Sequence, residues 1–119
     1  AALAGRAAVV GPGYARVGIE AVVAAEAGAD PGVVVDRVRS AMAAFLHPLT
    51  GGPDRRGWGS RHSVYLSDVA AIATSVTGVD HLASLLLLDR GSPGGDALEI
   101  RAGRIVAAGP LRVRLEGDD

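Results

Sequence analysis

The sequence contains no cysteine, lysine, asparagine or glutamine, and it has only one Trp, two Tyr and one Phe in 119 residues. The absence of cysteine excludes disulfide bonds, thiol catalysis and cysteine-ligated metal sites. The absence of lysine excludes Schiff-base chemistry and the phosphate-binding lysine of a P-loop. Because aromatic side chains are so few, the core must be built from small aliphatic side chains, each of which gains less free energy on burial than an aromatic one.

Long apolar runs and a strong charge of either sign are also missing. No stretch reaches the roughly 18 apolar residues that a membrane-spanning helix needs, so we expect no membrane span. The formal net charge of −1 gives no general attraction to nucleic acid or to an anionic membrane. The first ten residues lack an initiator Met and the basic start of a signal peptide, so we expect them to be the cut end of a longer chain.

Apolar and polar residues alternate from residue 14 to about residue 25, which predicts a half-buried strand. Its inward side chains are Ala15, Val17, Ile19, Ala21 and Val23. We predict further strands at 81–89 and 109–116 and a short one at 97–100. The leucines of 81–89 occupy both faces of their strand, which predicts that both faces are covered. Val64 and Tyr65 are predicted to form a short extended piece.

Two stretches have the spacing of amphipathic helices. The first begins with Asp30 as N-cap and Pro31 at the first helical position, and it should end at about His47 because Pro48 follows. Its inward residues are Val34, Val38, Met42 and Phe45. The second has Ser67 as its predicted N-cap and Gly78 as its predicted C-terminal cap, with Val69, Ile72, Ala73 and Val76 facing inward.

Together these elements predict an α+β fold in which two helices pack on one face of a small, mostly antiparallel sheet. The expected order is β-α-α-β-β, as in a ferredoxin-like or related fold. We predict a single domain over residues 14–116. Residues 1–13 are expected to be a linker or the end of a preceding segment, and residues 117–119 a frayed tail.

Residues that could carry chemistry are scattered. Metal binding needs several ligands at defined spacing, and the three histidines do not provide it; they are His47, His62 and His81. No spacing marks Asp54, Asp68 or Asp80 as catalytic, although Asp68 suits the first turn of a helix. Ser60 or Ser63 with His62 lacks the sequence context of a nucleophile elbow. We therefore expect no enzymatic activity, no metal, no cofactor and no small-molecule substrate.

The loop from Thr50 to His62 is the most distinctive stretch, because it combines glycines, arginines and the only Trp. Arginine and tryptophan are enriched at the energetic centres of protein interfaces. The candidate interface residues are Arg55, Arg56, Trp58, Arg61 and His62. A second interpretation is that Trp58 folds back over the core. Nucleic acid is not an expected partner, because the loop has one aromatic residue and contains Asp54.

Several segments together resemble one known family. They are VGPGYARVGIEAVVAAEAGADPGVVVDRV, AMAAFLHPLTGGPDRRGW, VYLSDVAAIATSVTGVDHL and GPLRVRLEG. Across residues 8–116 they resemble the C-terminal region of the J-like baseplate assembly proteins, which are wedge components of contractile phage-tail-like injection systems. Members of that family carry Pro-Phe-Gly after the Gly-Trp pair, where this chain has Gly59 and Ser60.

The resemblance implies a structural role without catalysis or cofactors. It implies contacts with other wedge proteins and with the hub of a baseplate, in many symmetric copies, and assembly in the cytoplasm within a phage-tail-like particle. An alternative that the residues leave open is a small-molecule-binding regulatory α+β module. An enzyme is a third hypothesis, for which no set of residues stands out.

Overall fold

The computed structural model describes residues 14–53, 55, 57–58, 63–89, 92–100 and 104–116. Its elements in chain order are β1 (Tyr14–Ala25), α1 (Pro31–Phe45), β2 (Ser63–Tyr65), α2 (Leu66–Ser75), β3 (Val79–Asp89), β4 (Ser92–Pro93), β5 (Ala97–Glu99) and β6 (Ile105–Leu115). The predicted α+β class, with two helices and a mostly antiparallel sheet, is confirmed. The predicted linker and tail, residues 1–13 and 117–119, lie outside the described residues.

Four strands form the main sheet in the order β4-β3-β1-β6. β1 is antiparallel to β3 and parallel to β6, and β4 is antiparallel to the end of β3. The sheet is therefore mixed, because the last strand of the chain lies beside the first and runs in the same direction. β2 and β5 form a separate two-stranded antiparallel ribbon.

The core lies between the helices and one face of the sheet. Of the five residues predicted to face inward on β1, Val17, Ile19, Ala21 and Val23 are buried, and Ala15 is partly buried against them. All four predicted inward residues of α1, namely Val34, Val38, Met42 and Phe45, are buried in the same cluster. α2 contributes Val69 and Ala73 to this cluster, with Ile72 and Val76 partly buried against it.

The start of α1 is the one that its sequence predicts. The Asp30 carboxylate accepts hydrogen bonds from the backbone N–H groups of Gly32 (2.9 Å) and Val33 (3.3 Å), and Pro31 is the first helical residue. Such a cap satisfies two of the donors that a helix start leaves unpaired. The helix ends at Phe45 with Leu46 as C-cap, slightly before the predicted end at His47.

The predicted limits of α2 were wrong at both ends. The helix begins at Leu66 with Tyr65 as N-cap, two residues before the predicted N-cap Ser67. The pairing of β2 with β5 sets this start, because the Leu66 N–H donates to the Asp96 carbonyl (2.8 Å). The C-cap is Val76, and Gly78 instead occupies the turn into β3 with φ of 97°.

The short strand predicted at 97–100 is present as β5, and the extended piece at Val64 and Tyr65 is β2. The prediction that both faces of β3 are covered holds only in part. Leu87 is fully buried and Leu88 is 8% exposed, whereas Leu86 is 42% exposed on the face away from the helices.

Candidate functional site

The only Trp of the chain anchors the loop that follows α1. Trp58 is 2% exposed, and its Nε1–H donates a hydrogen bond of 2.9 Å to the Phe45 carbonyl. The two rings meet edge to face, with centroids 5.1 Å apart and an interplanar angle of 83°. Both the polar and the apolar parts of the indole are therefore satisfied inside the domain.

Backbone hydrogen bonds fix the conformation of the same loop. The Gly51 N–H donates to the His47 carbonyl (2.9 Å), and the Gly52 N–H donates to the Phe45 carbonyl (2.8 Å). These are carbonyls that the end of a helix leaves without intrahelical partners. The His47 Nδ1 atom accepts hydrogen bonds from the N–H groups of Leu49 (3.1 Å) and Thr50 (3.3 Å). The imidazole thus serves as a cap for this turn.

Glycine is required at two places where the loop crosses itself. A Cβ atom at Gly51 would lie 2.1 Å from the Phe45 carbonyl oxygen, which is far inside van der Waals contact. Gly57 has φ of 90°, and a Cβ there would lie 2.7 Å from the Leu49 carbonyl oxygen. The Gly57 N–H also donates to the Gly51 carbonyl (2.8 Å). The backbone is therefore closely packed where Gly51 and Gly57 meet the Phe45 and Leu49 carbonyls.

Leu49 and Arg55 are exposed residues of this loop, as are Thr50 and Pro53. Leu49 is 76% exposed, the largest value among the exposed large hydrophobic residues of the described chain. Arg55 is exposed and has φ of 60°, making it the one non-glycine residue with positive φ among the described residues. Residues other than Gly, Asn and Asp rarely adopt this conformation, which costs about 1–2 kcal/mol. We call Leu49 and Arg55 the loop tip.

The predicted interface residues differ in how far they are exposed to solvent. Arg55 is exposed, as an interface residue must be. Trp58 is not available to a partner, because its ring lies in the core; of its two interpretations, the structure supports folding back over the core. Arg56, Arg61 and His62 lie outside the described residues, as do Asp54 and Ser60.

Sequence reasoning missed Leu49 as a surface residue. The side chain follows the helix-ending Pro48 and precedes a run of polar and glycine residues, so it belongs to neither helical pattern. An apolar residue in that position has no element to bury it, and this signal was sufficient to find it. Sequence reasoning also missed the anchoring role of His47, because the two N–H groups that it accepts become neighbours only once the turn forms.

A second group of polar side chains lies on the face of the sheet away from the helices. His81 lies on β3, with its Nδ1 atom 2.8 Å from Asp80 and its Nε2 atom 3.3 Å from Glu116. The carboxylates of Asp80 and then Glu116 raise the pKa of His81 above 6.5. All three side chains are more than half exposed. The arrangement ties β3 to the residue that follows β6.

The end of the sheet where β1 begins and β3 ends carries a groove of about 730 Å³. Apolar and charged side chains both line it, among them Leu88, Leu98, Arg16 and Arg112. Arg112 lies 4.0 Å from Glu20, and Arg16 donates to the Ala108 carbonyl (3.4 Å). The described residues include no buried polar or charged side chain.

Within the described part of the chain, no group of three or more histidine and acidic residues is arranged to hold a metal ion. Asp68 lies in the first turn of α2, where the sequence places it. Neither described helix has the length and apolar character needed to cross a membrane. Comparison of the chain with models of known protein families and with curated protein sequences found no match.

Proposed function

We propose that this chain is a structural module of a baseplate wedge protein in a contractile phage-tail-like injection system, and that it acts through protein–protein contacts. The proposal rests on the resemblance of residues 8–116 to that family and on the loop after α1. In this proposal the partners are other wedge proteins and the hub, in a symmetric assembly of many copies. Assembly takes place in the cytoplasm, and no catalytic residue or cofactor is assigned.

The main observation in support of the proposal is the positive φ of Arg55. This residue lies on a loop that Trp58 and backbone hydrogen bonds hold against the end of α1. Arg55 keeps a conformation in which glycine would be free of strain. Strain of this kind accumulates where a side chain must be held in a particular place. The surrounding loop is fixed by Trp58 and by its hydrogen bonds to the end of α1, so the loop tip loses little conformational freedom when a partner binds.

The loop tip also has a composition that suits a protein partner. Leu49 offers apolar area, and the Arg55 guanidinium offers several hydrogen-bond donors in a planar arrangement. A surface that combines an exposed apolar side chain with an arginine favours a partner that carries an apolar patch and a carboxylate. Neighbouring subunits of an assembly present such surfaces in fixed positions, which matches a loop that is fixed before binding.

The test replaces both side chains of the loop tip in the full-length protein within its producing cell. The variant Leu49→Ser with Arg55→Glu should reduce the number of complete particles seen by negative-stain electron microscopy. The matched control is Val33→Ser with Arg39→Glu on α1, where Val33 is 41% exposed and Arg39 forms a surface pair with Asp36. Thermal unfolding of both purified variants checks that each remains folded.

A loss of particles confined to the loop-tip variant supports the proposal. Normal particle numbers in the loop-tip variant contradict it, as does an equal loss in the control. A further variant, Arg55→Gly, removes the strain together with the side chain. We expect it to be at least as stable as the wild type while assembling fewer particles, which separates the role of Arg55 in contacts from any role in folding.

A specific observation also favours a second candidate function, the small-molecule-binding regulatory module. The groove of about 730 Å³ at the end of the sheet has the size of a ligand site. Its charged lining residues are three arginines and three carboxylates, Arg16, Arg104, Arg112, Glu20, Asp89 and Glu99. They suit a ligand that carries both charges and an apolar part. A thermal-shift screen of such compounds tests this candidate: a compound that raises the unfolding temperature of the wild type but not of Arg112→Ala supports it.

A further inference from the structure

A second groove lies between α2 and the outer edge of β3. It has a volume of about 540 Å³. Leu66 and Ala70 of α2 form one wall, and Leu82 and Leu85 of β3 belong to the other. Tyr65, which is 51% exposed, also lines the groove. The groove is thus an apolar channel bounded by a helix on one side and a strand on the other.

The strand that bounds this groove has a free edge. β4 pairs only with Leu88 and Asp89 at the end of β3, and among the described residues no strand pairs with the outer side of β3 before that point. The Leu87 carbonyl points outward, because it accepts a hydrogen bond from the Gly94 N–H (2.8 Å). Since backbone groups alternate in direction along a strand, the N–H and C=O of Leu85 point the same way.

An unpaired strand edge beside an apolar channel is best filled by an extended polypeptide. Only another extended backbone satisfies edge N–H and C=O groups while sending alternate side chains into the channel. A strand that lies between an edge strand and a helix is a known mode of peptide recognition in other domains. The geometry therefore favours an extended polypeptide over a compact small molecule.

The charge of the groove indicates which charge the bound peptide should carry. Asp96 is the one charged residue that lines it; its side chain is exposed, and among the described residues it forms no ion pair. Asp68, in the first turn of α2, directly follows the lining residue Ser67. β3 itself contains no arginine or lysine, so pairing of β3 with a second β3 brings no such cation to Asp96. A peptide with a basic residue complements the carboxylate.

We propose that the groove between α2 and β3 binds an extended segment of another polypeptide, which adds as a strand to the β3 edge at Leu85. The segment has alternating apolar side chains that enter the channel and an arginine or lysine that faces Asp96. This groove shares no residue with the loop tip or with Trp58. The inference therefore goes beyond the proposed function and does not depend on it.

The experiment uses the full chain and fluorescein-labelled synthetic peptides of about eight residues, enough to span the groove. In one peptide valine and threonine alternate around a central arginine, and in the other a glutamate replaces the arginine. Fluorescence anisotropy measures binding. We expect the arginine peptide to bind about fivefold more tightly than the glutamate peptide, because the contact with Asp96 is exposed to solvent. N-methylation of the peptide backbone should abolish binding, because it removes the donors that pair with β3.

Two variants and one measurement on the wild type locate the site. Ala70→Arg fills the channel and should abolish binding, whereas Ala71→Arg, on the exposed side of the same helix, should not. Hydrogen exchange of the Leu85 amide in the wild-type chain should slow by about tenfold or more when the peptide binds. The exchange measurement decides the question even if Ala70→Arg does not fold.

The proposal is overturned if neither peptide binds at concentrations up to about 1 mM. It is also overturned if binding leaves the Leu85 amide unprotected, if a folded Ala70→Arg binds as well as the wild type, or if sedimentation shows that the edge pairs with a second copy instead. Because particle assembly by the loop-tip variant is measured separately, a failure here leaves the proposed function standing, and the converse also holds.

Discussion

Replacing Trp58 by alanine tests whether this side chain is part of the core or part of an interface. The indole is 2% exposed and contacts Phe45 edge to face. Removing a buried aromatic side chain costs about 3–5 kcal/mol, from lost burial and from the cavity that remains. We therefore expect Trp58→Ala to lower the free energy of unfolding by about 4 kcal/mol.

A loss of about 4 kcal/mol for Trp58→Ala is a large share of the stability of the domain. A domain of 119 residues has a free energy of unfolding of about 6–18 kcal/mol. Trp58→Phe separates two contributions to the effect. It keeps most of the apolar contact and loses the hydrogen bond to the Phe45 carbonyl, which still accepts from the Gly52 N–H. The expected loss is about 1–2 kcal/mol.

The assay is unfolding in urea followed by far-UV circular dichroism, since removing the only Trp also removes the usual fluorescence signal. A surface residue replaced by alanine changes stability by less than about 0.5 kcal/mol. A change of that size for Trp58→Ala would refute the assignment of Trp58 to the core. It would also contradict the role of Trp58 in holding the loop against the end of α1.

Three other changes test the Asp30 cap of α1, the loop after α1 and the contacts of His81 with its two carboxylates. Asp30→Ala should lower the free energy of unfolding by about 1 kcal/mol in the same assay, because two N–H groups of α1 lose their acceptor. Gly51→Ala should cost about 3 kcal/mol or prevent folding, since the added Cβ meets a backbone carbonyl oxygen. Glu116→Gln should lower the pKa of His81, followed by NMR titration, because one of the carboxylates that raise it is lost.

The last of these changes also has a consequence for stability. The pKa of His81 in the folded state lies above 6.5, so the ion pairs stabilise the fold below about pH 6.5 and lose this effect as the pH rises through the folded-state pKa. The wild type should therefore exceed Glu116→Gln in stability by more at about pH 6 than at about pH 8.5. An equal difference at both pH values would contradict the pairing.

Matched controls exist for the Asp30→Ala and Gly51→Ala predictions. Asp36→Ala removes an acidic residue from the same helix but only a surface ion pair with Arg39, and it should change stability by less than about 0.5 kcal/mol. Gly28 has φ of 84° and open space around it. Gly28→Ala should cost only the backbone strain, about 1–2 kcal/mol. A larger loss for either control than for its partner would contradict the assigned roles.

The parts of the fold that were predicted correctly are those set by local pattern. The alternation along β1 and the spacing of the apolar residues in α1 each extend over several turns or pleats. Their burial follows from the position of each side chain on its own element. The Asp30-Pro31 start of α1 was predictable for the same reason, because a cap depends only on neighbouring residues.

What the sequence did not reveal depends on contacts between distant segments. The start of α2 is fixed by the Asp96 carbonyl, which accepts from the Leu66 N–H thirty residues away, so the local preference for Ser67 was overridden. The free edge of β3 follows from the shortness of β4, which among the described residues pairs only with Leu88 and Asp89. The position of Trp58 depends on the carbonyl at Phe45 being free at the end of α1, which no pattern near Trp58 indicates.

The most direct test of the account places a photocrosslinking amino acid at position 49 of the full-length protein and illuminates the assembled particles. If the loop tip contacts a neighbouring subunit, position 49 gives a cross-link to another subunit of the baseplate, and the same amino acid at position 33 on α1 gives none. Particles that assemble normally yet give no cross-link from position 49, or give equal cross-linking from both positions, would contradict it.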